Sequence, residues 1–139
     1  MNTSIRSWLL LLLILSAGNA LAEEIAVIVN PAVDISTIDK NVVGQIYMGK
    51  STLLTPYDQP EMSAIRERFY KIVTGRNTVQ VKAQWAKLIF SGLARAPEKL
   101  INSKAVKRTV ASDPKGIGYI EKSAVDKTIK VAMILPSEE

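Results

Sequence analysis

Apolar positions along the chain come in two patterns, unbroken runs and stripes at helical spacing, divided by short polar turns. The first run beyond residue 22 is Ile25-Ala26-Val27-Ile28-Val29, closed by Asn30-Pro31. A run without polar alternation suits a strand covered on both faces, as in the middle of an α/β sheet. Thr37 or Asp39 can then cap a helix with Val42, Val43, Ile46 and Tyr47 inward and Gly49 at its end. Thr52 to Tyr57 reads as a short strand. Between Tyr57 and Gly75 a polar turn around Pro60 opens into a helix from Ser63, with Ile65, Phe69, Ile72 and Val73 on one side.

The second half repeats the alternation. Thr78 caps a helix to about Phe90 with Val81, Trp85, Leu88 and Ile89 inward. Gly92 to Pro97 is a loop. Ser103 caps a further helix through Ala105, Val106 and Val110 to about Ser112, and Lys99, Lys104, Lys107 and Arg108 form its solvated side. Asp113-Pro114-Lys115-Gly116 is a turn in which glycine is expected to supply the permissive backbone angle. A strand over Ile117 to Ile120, a helical turn from Ser123 and a last strand over Ile129 to Leu135 complete the chain. Strands parted by helices predict an α/β fold with a mostly parallel sheet. In such sheets ligands gather at the carboxyl ends of strands, beside helix N-termini. The turn before Ser63 occupies such a place, and the first amides of its helix, with no intrahelical acceptor, suit an anion.

Ahead of the first strand, Arg6, the apolar run Trp8 to Leu15 and Ala20-Leu21-Ala22 read as a secretory signal over residues 1–22. The run is too short to cross a hydrocarbon layer of about 30 Å. A periplasmic protein starting at Glu23 is expected, and the 139 residues less these 22 leave 117, enough for one domain over 23–139. Losing Arg6 leaves 17 basic against 13 acidic residues, a formal +4, read as ordinary surface charge. With export, so modest a charge argues against a nucleic-acid partner. The chain has no cysteine and no histidine. That excludes disulfides, thiol nucleophiles, Ser-His-Asp hydrolases and histidine-bearing zinc sites, and no cofactor or metal is expected. Carboxylates, serines and lysines such as Glu61, Glu67, Ser63 and Lys71 are what remains for catalysis. Glu67 and Lys71 stand four apart, the spacing of a plain ion pair, and an enzyme is not expected.

Ile46-Tyr47-Met48-Gly49-Lys50, the Ser63 turn with Phe69 beyond it, and Gly116-Ile117-Gly118-Tyr119-Ile120 follow one another behind the buried first strand. In that order they resemble one lobe of the periplasmic phosphate-binding proteins that feed ABC transporters, and more closely a group of short, exported, single-lobe relatives. The resemblance spans nearly all of Glu24 to Leu135. It implies a three-layer α/β lobe of the type II periplasmic binding protein fold. It also implies a ligand turn at Gln59, Glu61, Ser63, Ala64, Ile65 and Arg66. The family carries Arg-Ser-Asp-Gly-Ser-Gly-Thr where this chain reads Gln59-Pro60-Glu61-Met62-Ser63-Ala64-Ile65. Ser63 is identical and Glu61 similar. Gln59 replaces the arginine, Ala64 a glycine and Ile65 the threonine. Arg66 or Arg68 is an alternative cation, although Arg66 reads more readily as pairing with surface acids.

In two-lobed members the anion is enclosed from both sides. Three charge-assisted hydrogen bonds from one lobe would give about 4 to 9 kcal/mol against an association cost of about 4 kcal/mol or more. Over much of that range the remainder corresponds to millimolar binding. Two readings follow: an exported binder of phosphate or another small oxyanion, linked to ABC uptake or sharing the anion with a second subunit as a homodimer, and a periplasmic interaction module that kept the fold, lost the ligand and acts on a permease or other envelope protein.

Overall fold

The computed structural model describes residues 22–137. The leader read over residues 1–22 therefore lies, but for Ala22, outside the described residues. The elements alternate as the apolar pattern predicts: β1 (Ile25–Val29), α1 (Lys40–Tyr47), β2 (Thr55–Asp58), α2 (Ala64–Thr74), α3 (Thr78–Phe90), β3 (Glu98–Lys99), α4 (Ser103–Ser112), β4 (Gly116–Glu121) and β5 (Lys130–Leu135). Single 3-10 turns lie at Ile35–Thr37 and Lys122–Ala124. No helix among the described residues is long and apolar enough to cross a membrane.

The five strands form one sheet in the order β3-β2-β4-β1-β5. β2 runs parallel to β3 and β4, whereas β1 is antiparallel to both its neighbours, β4 and β5. Four strands thus share one direction and β1 alone is reversed. The sheet is mostly parallel, with its most apolar strand running against the rest. All five β1 residues have no exposed surface, which fits an unbroken run whose alternate side chains enter two different cores. Ile25, Val27 and Val29 join a cluster with α1, α2 and α3 through Ile46, Tyr47, Phe69, Tyr70 and Trp85. Ala26 and Ile28 face the other way, onto Val106 and Val110 of α4. The result is three layers, with the larger core under α1 to α3.

Capping residues set the helix ends. Asp39 accepts from the Val42 amide at 2.8 Å and opens α1. α3 begins one residue earlier than a Thr78 cap implies: Asn77 caps it reciprocally with Gln80, at 2.9 and 3.0 Å. Likewise Asn102, not Ser103, caps α4, leaving the Ser103 hydroxyl free for another partner. Gly49 and Gly75 sit at φ 72° and 69°, where they end α1 and α2 in left-handed conformation. Gly116 differs from expectation. Its φ is not positive; it is glycine because a Cβ there would lie 3.1 Å from both the Val110 Cα and the Asp113 carbonyl oxygen. β3 falls in the region following the predicted loop, too short and too polar to announce itself.

Gly44, inside α1, lets that helix rest directly on α2, since an added Cβ would run into the Val73 carbonyl oxygen. Backbone cannot yield as a side chain tip can, so Gly44→Ala is expected to cost about 1–3 kcal/mol despite its better helix propensity. Thermal unfolding should show a loss of about 4 °C or more. An unchanged melting temperature would mean that α1 and α2 separate freely.

Candidate functional site

β2 delivers Asp58 and Gln59 to the carboxyl end of the sheet, and the chain turns at Pro60 to enter α2. Asp58 and Gln59 are both buried, at 1% and 2% exposure. Asp58 Oδ1 accepts from the Gln59 amide at 2.8 Å and from the Tyr119 hydroxyl. Its Oδ2 accepts from the Tyr70 hydroxyl at 2.7 Å and from Arg66 Nε at 3.2 Å. A carboxylate offers about four acceptor sites, so Asp58 is fully occupied by groups from its own strand, from β4 and from α2. Arg66 completes the cluster from above, with its Cζ 4.9 Å from the centroid of the Tyr70 ring. This arginine is buried and pairs with Asp58, not with surface acids. Tyr119 stacks on Phe69 at 3.6 Å between centroids, and Tyr47 meets both edge-on.

The six residues expected to hold a ligand are gathered at this corner but differ in what they have to offer. The Gln59 side chain donates to the Tyr119 carbonyl at 2.9 Å and to Ser103 Oγ at 2.8 Å, and Ser103 in turn donates to Glu121. Glu61 is exposed at the rim and pairs with Lys82 at 3.2 Å. Ser63 is the N-cap of α2, yet its hydroxyl turns back to the Pro60 carbonyl at 2.7 Å and no side chain caps the helix. The amides of Ala64, Ile65 and Arg66 are the helix's first and have no intrahelical acceptor. Arg68 reaches elsewhere, to the carbonyls of Glu23 and Ser137 at 2.7 and 3.1 Å. Glu67, read as a partner of Lys71, accepts instead from Thr78 Oγ1 at 3.3 Å.

Beside the start of α2 lies a cleft of about 240 Å³ walled by α3 and the segment leading into β3; of the six expected ligand residues Glu61 and Arg66 line it, whereas Gln59, Ser63, Ala64 and Ile65 do not. Arg66, Lys82 and Lys99 bring positive charge to it, Asp58 and Glu61 negative charge, and Trp85, Ile89 and Pro97 an apolar floor. Asp58, Tyr70, Lys82 and Lys99 are residues that sequence reasoning did not place here. One signal was available: Arg66 interrupts the inward stripe of α2 one turn before Tyr70, and a charge on an apolar face calls for a buried partner.

Burial, with the Asp58 charge close by, raises the Tyr70 and Tyr119 hydroxyls well above ordinary tyrosine values, and the same two causes raise Tyr47. Tyr57 is pushed up to about 12 by burial and by its 2.7 Å bond to Asp113. Burial works against the Arg66 charge, but Asp58 and the tyrosines outweigh it and raise its pKa. These four are all the tyrosines of the chain. A tyrosine whose pKa is raised on folding stabilises the fold fully below the unfolded value of about 10 and loses that contribution as pH climbs toward the folded value. Alkaline titration should therefore show almost no tyrosinate absorbance in the native protein near pH 10, with stability falling above it. Tyrosinate appearing at pH 10 without unfolding would contradict this arrangement. Asp58→Ala strands Arg66 and two hydroxyls and is expected to cost about 3–5 kcal/mol in urea unfolding. A loss below about 1 kcal/mol would show that the cluster is dispensable.

No protein-family model matches the chain, and neither does any curated protein sequence. Solved structures do. One is named as a candidate phosphate ABC transporter substrate-binding protein from Clostridium perfringens, with bound phosphate: TM-score 0.62 at 20% identity, over 78% of this chain and 44% of that one. Another is an ABC-type phosphate transport receptor from Vibrio cholerae, with TM-score 0.61 at 18% identity over 78% of this chain and 45% of that one. The chain spans less than half the length of these proteins. Strand order, layer arrangement and the cleft at the carboxyl end of β2 are thus set in a fold shared with phosphate-transport binding proteins, built here as a single lobe.

Proposed function

We propose that the protein is an exported, single-lobe binding protein that holds phosphate or a similar small oxyanion weakly where α2 begins. The observation that carries this reading is the first turn of α2, which no side chain caps and whose Arg66 lines a cleft that Lys82 and Lys99 also supply with positive charge. The amides of residues 64–66 would take the anion's oxygens, aided by the positive helix end, and Lys82 and Lys99 would neutralise its outer face. Asp58 has no acceptor site to spare and is a scaffold that fixes Arg66. The residue 1–22 leader would deliver the protein to the periplasm, where a permease of the ABC type is the natural receiver. Its fold neighbours are by name a substrate-binding protein and a transport receptor, and a binding role without catalysis agrees with them.

A second reading has its own support. Tyr70, Tyr119 and the Gln59 amide, all donors near the cleft, are taken up by Asp58, which suits an interaction module that acts on an envelope protein without a ligand. Thermal unfolding of the form beginning at Glu23 separates the two. For a dissociation constant of about 1 mM, about 10 mM phosphate stabilises by ~1.4 kcal/mol, a rise of several degrees. The rise should shrink in Lys82→Ala and Lys99→Ala and should be absent with chloride at equal ionic strength. No rise at that concentration would refute anion binding, and a protein partner retained by Ser63→Ala would then favour the module.

A further inference from the structure

α3 turns Val81, Trp85 and the half-buried Leu88 toward the core, as an amphipathic helix should. Its opposite side is apolar as well. Val79, Ala83, Ala86 and Phe90 recur at intervals of four, three and four, the spacing of a seam between two helices. All four are exposed, Val79 at 76% and Phe90 at 96%, and Ile89 and Leu93 extend the patch at 52% and 76%. Together these side chains present on the order of 500 Å² of apolar surface, in the upper part of the range for the largest patch of a lone soluble domain, where such a patch is often functional. With a polar margin, that approaches the roughly 800 Å² per partner of a stable interface.

The stripe is also its own reverse. Val79 and Phe90 stand equally far from the midpoint of the stripe, between Gln84 and Trp85, and so do Ala83 and Ala86. A second α3 turned end for end sets Ala83 against the partner's Ala86 and Val79 against the partner's Phe90. Two alanine pairs at the crossing let the axes approach to about 8 Å, the close end of helix packing, and at either end a medium side chain meets a large one. At the margins Gln80 falls beside the partner's Lys87, and Lys82, already paired with Glu61, beside the partner's Ile89. No like charges are pressed together. A patch that can pair with its own reverse meets the requirement of a two-fold interface between identical chains.

We infer that α3 is the interface of a two-fold homodimer, the two helices packing antiparallel through Val79, Ala83, Ala86 and Phe90. The pairing does not require a bound anion, because Val79, Ala83 and Phe90 lie outside the cleft. It does bring the two clefts side by side, since Lys82, Ala86 and Ile89 line the cleft and border or join the seam.

Sedimentation velocity on the form beginning at Glu23, from about 1 to 500 μM, should show a monomer giving way to a dimer. Phe90→Glu, at a position too exposed to disturb folding, should raise the dissociation constant ~30-fold or more. The chain lacks cysteine, so Ala83→Cys and Ala86→Cys provide an independent check. On mild oxidation the mixture of the two variants should cross-link faster than either alone. A monomer throughout the range, a dimer indifferent to Phe90→Glu, or equal cross-linking in all three samples would overturn the proposal.

Discussion

The carboxylate of Asp58 is the point at which the sheet and its overlying helices are tied together. It sits at the end of β2, takes one hydroxyl from β4, and takes a second hydroxyl and a guanidinium nitrogen from α2. Buried charge is costly unless every lone pair and proton finds a partner, and here each oxygen accepts two. The geometry fixes where α2 starts, how far it stands above β4, and which way Arg66 faces. Tyr47 adds a neutral counterpart by donating from α1 to the Tyr57 and Ile117 carbonyls at 2.7 and 3.3 Å.

That tie also shapes what the cleft can do. On the proposed reading, an anion at the start of α2 would find the strongest side-chain donors already serving Asp58, leaving backbone amides and the lysines of the cleft. Such groups recognise charge and size more than detailed shape, because lysine acts as a mobile point charge where arginine offers a rigid fork.

Much of this was legible in the apolar pattern, and the misses have physical causes. The run Ile25 to Val29 announced a strand covered twice, and the stripes of α1, α2 and α4 announced one buried face each. The reversed direction of β1 was not legible, because burial on both faces reads the same whichever way the neighbours run. The caps at Asn77 and Asn102 were passed over for adjacent hydroxyl residues that are almost as good at the task. At the site, the position of the corner was readable but its wiring was not. Asp58 looks like turn chemistry until β4 places Tyr119 beside it, 61 residues later in the chain. α3 was readable on its core side except at Ile89, which the helical spacing put inward and the structure leaves 52% exposed, and alanine, valine and phenylalanine outside the inward stripe carry no mark of exposure in sequence.

The placement of β1 has a consequence for how the fold comes into being. Its two hydrogen-bonded neighbours are β4 and β5, so Ile25 waits for Glu121 on one side and Leu135 on the other. Contacts between such distant parts of a chain carry a large loop-closure cost before they return any stabilisation. β1 is therefore an early-made segment with a late-made home, and the sheet cannot consolidate until β5 is available. A chain built this way closes its sheet with its last strand and not with its first.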